Sequence, residues 1–113
     1  MRKVVSLFVL CGLCAAPAFA AAESYKNVSV VDVQCSKKVA ADPDSHTRDC
    51  ALGCAKSGFG IVTADKHFVK FDATGNEKIL DALKASDKTD HLRVNVSGDL
   101  DGDTLKVTSI SLL

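Results

Sequence analysis

Cys35, His46, Cys50 and Cys54 stand close together in the middle of this 113-residue chain. Thiolates and imidazole are the ligands that zinc and copper(I) select. Two thiols in an oxidising compartment can instead close a disulfide, and a thiol left over from such a closure is a candidate for redox exchange. The same side chains therefore admit three chemistries: metal binding, cross-linking and thiol exchange. Spacing decides how each would have to work.

Thr47 to Ser57 is predicted as a helix, with Ser45 or Thr47 as its N-cap and Gly58 at the C′ position. Gly53 weakens its middle by roughly 1 kcal/mol relative to alanine. On an unbroken helix, His46 and Cys54 would lie about 12 Å apart, with the histidine leaning away from the cysteine. One zinc or copper ion then cannot hold Cys35, His46, Cys50 and Cys54 all at once. It could do so only if the helix begins after His46 or breaks at Gly53; otherwise Cys35 and Cys50 with either neighbour form a smaller set. The spacing is not a standard zinc pattern, so metal binding ranks second. The leading expectation is a disulfide from Cys35 to Cys50 or Cys54, tying a strand to the helix. Closing a loop of about 15 residues contributes on the order of 3 kcal/mol. Cys50 with Cys54 is the poorer pair, since side chains one turn apart run side by side. Thiol exchange ranks third. Cys50 would sit at N3 if Thr47 caps, where the helix dipole favours a thiolate, but the motif is C-x3-C and not C-x2-C.

The compartment follows from the start of the chain. Arg2 and Lys3 precede an apolar run from Val4 to Ala16, and Ala18-Phe19-Ala20 is a small-x-small cleavage site. Residues 1–22 are expected to be a signal peptide, cleaved after Ala20 or Ala22, and the run is shorter than the roughly 20 residues of a membrane span. Leu10 and Leu13 precede Cys11 and Cys14, which argues against lipidation. The expectation is a periplasmic or secreted protein with no stable membrane anchor after cleavage. Lys+Arg then falls from 14 to 12 against 14 Asp+Glu, a net charge of about −2, and five cysteines become three. The single remaining domain, residues 23–113, is small enough that a cross-link matters.

The elements that must position the cysteines are mostly strands. Tyr25 to Cys35 is valine-rich, with a change of phase between Val30 and Val31 that reads as a β-bulge. Ser36 to Ser45 is polar, contains Asp42-Pro43-Asp44 and reads as a loop. After the helix, Phe59–Thr63 and His67–Phe71 form a hairpin. Thr74 and Glu77 fit a capping box for a second helix, ending near Ala85 with Ile79, Leu80 and Leu83 on one face. His91–Ser97 alternates with Leu92, Val94 and Val96 inward, and Asp101-Gly102 is a turn. Leu105–Leu112 closes the chain, with a second change of phase between Val107 and Ile110. A mainly β chain with two short helices, one of them between the third and fourth of five strands, has the order of a small OB-like barrel. An open α+β sheet is the alternative.

The run Val31-Asp32-Val33-Gln34-Cys35, then His46-x3-Cys50-Ala51-x2-Cys54-Ala55-Lys56-x-Gly58, resembles a group of small exported bacterial proteins of unknown function that are similar to OB-fold domains. The likeness covers about two thirds of the chain beyond the leader. It implies export and a barrel, and no activity.

Other signals point to ordinary structure. The slightly acidic balance and the few aromatics, Tyr25, Phe59, Phe68 and Phe71, argue against nucleic acid as a partner. Asp99, Asp101 and Asp103 lack the glycine position and the glutamate of a calcium loop and read as a hairpin turn. His67 and His91 read as solvent-facing residues at strand starts. No catalytic arrangement stands out, so the expectation is a non-enzymatic, disulfide-stabilised module for an unknown small ligand or protein. The alternatives are a periplasmic metal-binding protein and a thiol-redox protein, and no cofactor is required unless zinc or copper is bound. Intact mass of the exported protein should place its first residue at Ala21 or Glu23; a product retaining Met1 would refute the leader.

Overall fold

Runs of β-branched residues build the wall of the molecule. The computed structural model describes residues 21–113, so residues 1–20 of the leader expected over residues 1–22 lie outside the described residues. Five strands, β1 (Ala21–Asp32), β2 (Phe59–Val62), β3 (Phe68–Phe71), β4 (Arg93–Asp101) and β5 (Thr104–Leu112), close into a barrel in the order β1-β2-β3-β5-β4. Neighbours are antiparallel except β3 and β5, which run parallel through Lys70–Thr104 and Phe71–Leu105. β1 pairs with both β2 and β4, so the sheet has no free edge and the open α+β alternative is excluded. This is the OB-like barrel that the strand order predicts.

Among the described residues there are three α-helices, α1 (Ser36–Val39), α2 (Arg48–Gly53) and α3 (Ala73–Ala85), where the sequence suggests two. The connection read as a loop over residues 36–45 holds α1 and a 3₁₀ turn at Pro43–Ser45. Both are single turns held by tertiary contacts, too short to leave a periodic pattern. No helix of the described residues is long and apolar enough to cross a membrane.

Curvature comes from two bulges. The register of β1 on β4 shifts between Tyr25 and Val28, where Asn27 takes φ 52° and donates its N–H to Asn95 Oδ1 at 2.8 Å. The phase change expected at Val30–Val31 is no bulge. Val30, Val31 and Asp32 are all buried, because the second face of β1 is covered by the connection to β2 rather than by solvent. The bulge expected between Val107 and Ile110 is present. Ser97 pairs with Ser109 and Gly98 with Val107, which leaves Thr108 unpaired.

The interior is filled as the alternation predicts. Leu92, Val94 and Val96 are buried, as are Phe59 and Phe71, each side chain contributing about 1.5–3 kcal/mol relative to exposure. α3 lays Ile79 and Leu83 into the same core. Its cap is Asp72 and not the Thr74–Glu77 box: Asp72 Oδ1 accepts from Gly75 N–H at 3.0 Å and from Val107 N–H at 3.1 Å. One carboxylate thereby caps the helix and pins it to β5, a tertiary bond that no local motif encodes.

The bulge between β4 and β5 depends on a missing side chain. A Cβ on Gly98 would lie 2.2 Å from the Lys106 carbonyl oxygen and 2.9 Å from Val107 Cα, both rigid backbone. Gly98→Ala should therefore destabilise the barrel by about 1–3 kcal/mol in urea unfolding. A midpoint equal to the parent's would show that β4 and β5 do not pack in this register.

Candidate metal centre

The last residue of β1 is a carboxylate with no exposed surface. Asp32 follows two buried valines, and its side chain turns under the connection to β2. A buried carboxylate must be paired or hydrogen-bonded. Oδ2 accepts the Cys35 N–H at 2.9 Å, which bends the chain into α1, and Oδ1 lies 2.6 Å from His46 Nε2. His46 is itself only 5% exposed.

The histidine arrives by a separate route. Pro43–Ser45 forms the 3₁₀ turn that ends on His46, whose N–H donates to the Pro43 carbonyl at 3.1 Å. Asp44, inside that turn, is clamped by Arg93 of β4 through Nε at 2.9 Å and Nη2 at 2.8 Å. The guanidinium holds the Asp44 carboxyl below the usual carboxylate range. Arg93 also donates to the Asn27 carbonyl at the β1 bulge, so the barrel wall sets the position of the turn. His46 is extended, with φ −73° and ψ 129°, and lies outside the helix.

The helix begins at Arg48. Thr47 is its N-cap, accepting the Cys50 N–H at 3.2 Å, and regular helix stops at Gly53. Cys54 follows with φ −108° and ψ 19° and leads into a 3₁₀ turn, Ala55–Ser57. Both conditions that the sequence set for joining His46 with the later cysteine are met: the helix starts after the histidine and breaks at the glycine.

Ligating atoms of Asp32, Cys35 and His46 all lie within 4.8 Å of one another. Cys54 lies near enough to Cys35 to add to the shift of its thiol, and outside this three-residue group. Burial, then the Asp32 charge, then Cys54 push the Cys35 thiol above the usual range, so it is protonated near neutrality. Cys50 is exposed and stands outside the cluster, while Cys35 and Cys54 are half-buried. All three cysteines carry free thiols. Of the four residues singled out in sequence, the fold thus gathers Cys35 and His46, with Asp32, and leaves Cys50 and Cys54 outside the group.

Asp32 is the residue that sequence reasoning missed. Its signal was available: a carboxylate inside the buried valine run Val30-Val31-Asp32-Val33, three residues before a cysteine. A charge at a core position needs a partner, and that need could have named it. His67 and His91 are exposed, as expected. No family model matches the chain, and neither a curated protein nor a solved structure does.

Removing the carboxylate would leave the His46 ring and the Cys35 N–H without partners. Asp32→Ala should cost roughly 3 kcal/mol in urea unfolding. A loss below about 1 kcal/mol would mean that the Asp32–His46 bond does not hold the connection to the barrel.

Proposed function

We propose that the protein is an exported metal-binding barrel, with zinc held by Asp32, Cys35 and His46. A buried His–Asp pair alone is ordinary structure. The observation that carries the reading is that a thiol joins this pair, with carboxylate, imidazole and sulfur atoms within 4.8 Å of one another. A thiolate, an imidazole and a carboxylate are all ligand types that zinc takes. Copper(I) prefers sulfur without a carboxylate, so zinc is the better match. Three protein donors leave the fourth position of a tetrahedral ion open for water or another ligand.

A disulfide between Cys35 and Cys54 is the second reading, favoured by the hydrogen bonds from Val33 and Gln34 to Gly58 and Ser57, which tie together the segments that carry the two cysteines. It uses the expected cysteine and chooses Cys54 over Cys50 as its partner. The two readings differ in their response to a chelator and to reduction.

Reduced protein should take up one zinc ion per chain and release a proton as the Cys35 thiol ionises. Cys35→Ser should weaken binding by more than the roughly 10–100-fold that loss of an outer hydrogen-bond partner costs. Cys50→Ser should leave affinity within about threefold, since that thiol is exposed and outside the cluster. Zinc uptake by Cys35→Ser equal to that of the parent in equilibrium competition would overturn the metal reading. A chelator-insensitive parent that melts lower only after reduction would establish the disulfide instead.

A further inference from the structure

A cavity of about 320 Å³ opens where the β1 bulge, the Pro43 turn and the β2–β3 turn meet. Three cations line it, Lys26, Lys66 and Arg93, and no carboxylate does. The chain as a whole leans the other way: without Arg2 and Lys3, Lys+Arg is 12 against 14 Asp+Glu. No member of the Asp32–Cys35–His46 group borders the cavity, so a ligand there would be independent of the metal reading.

Two of the cations are held in place. Lys66 Nζ reaches the Ala41 carbonyl at 3.4 Å, which lays its side chain between the β2–β3 turn and the connection that leads to His46. Lys66 and Asn27 both line the cavity, and both have positive φ, 68° and 52°, a backbone region that residues other than glycine rarely adopt. Arg93 engages three of its five N–H groups, two on Asp44 and one on the Asn27 carbonyl. One N–H on each Nη is left over.

Asp42, Asp44 and Asp65 are sequence neighbours of lining residues, yet none of them enters the lining. Asp44 is gripped by Arg93 and also accepts from Ser29 Oγ at 3.3 Å. Asp65 accepts the Thr63 hydroxyl and lines a separate cavity with Tyr25 and His67. Asp44 balances the charge of Arg93, so the surplus at the cavity is that of Lys26 and Lys66.

We infer that this cavity binds a phosphate group, either inorganic phosphate or the end of a small phosphomonoester. Near neutral pH such a group carries close to two negative charges, which match the two surplus lysines; a single carboxylate would carry one. Lysines attract phosphate as point charges, and a guanidinium adds directed N–H donors. Ser29 and Val62 in the lining are buried, so the anion would rest against protein, where the attraction is screened less than in open water. The volume lies at the lower end of the roughly 300–1,000 Å³ of small-molecule sites, which leaves room for a short organic tail.

The test is isothermal titration calorimetry on the mature chain in a chelating buffer, which keeps the anion from binding through a metal. The probes are inorganic phosphate, glycerol 3-phosphate and glycerol. Expected are one site per chain for phosphate, no binding of glycerol, and affinity that falls as salt rises. Lys26→Met combined with Lys66→Met should weaken binding by roughly tenfold or more, at an unchanged urea midpoint because both side chains are exposed. Lys78→Met combined with Lys84→Met, exposed on α3, removes the same charge and should bind like the parent. Tighter binding of glycerol 3-phosphate would assign the site to a phosphomonoester, and equal binding of inorganic phosphate would assign it to the free ion. No binding of either phosphate, or an equal response of the two double variants, would overturn the site.

Discussion

The bond between Asp32 and His46 is the contact on which the rest of the connection depends. It places a carboxylate with no exposed surface at the end of a barrel strand, where its desolvation is tolerable only if its oxygens are satisfied. One oxygen takes the imidazole and the other takes the main-chain N–H of Cys35. The first bond brings a residue from the far end of a polar segment back onto β1. The second turns the chain into α1 and sets the first cysteine beside the pair. Packing alone would not specify either position, because the segment has few apolar side chains.

The barrel contributes rigidity. Arg93, on β4, fastens the turn before His46 through a two-pronged bond to Asp44 and fastens the β1 bulge through Asn27. Arg48 reaches the other way, donating from Nε to the Leu83 carbonyl at 2.7 Å and so tying α2 to the end of α3. Asn76 of α3 accepts the Phe59 N–H at 2.8 Å where β2 begins. Together these bonds fasten the connection and its helix to the barrel and to α3, which is how a site built largely on a connection can be held in place.

An OB-like barrel hosts unrelated activities, so the fold does not say what the site does. The donor set is more informative. A carboxylate, an imidazole and a thiol meet on one side of a small domain, the first two buried and the third nearer to solvent.

The sequence by itself determined the barrel. Alternation in β4, the change of phase near Thr108, the Asp101-Gly102 turn and the helix between the third and fourth strands are local patterns, and each reflects burial on one face of a pleated strand. It also determined the chemistry on offer, since cysteine and histidine are few and closely spaced. Only the tertiary structure decided which of them meet. Whether His46 lies inside or outside the helix depends on a turn clamped by Arg93, far away along the chain. Whether Cys50 or Cys54 faces Cys35 depends on where the helix breaks. Asp32 looked like one polar residue in a strand because its partner comes from a different segment. Long-range hydrogen bonds between irregular segments leave no periodic trace, so they become visible only once the chain has folded.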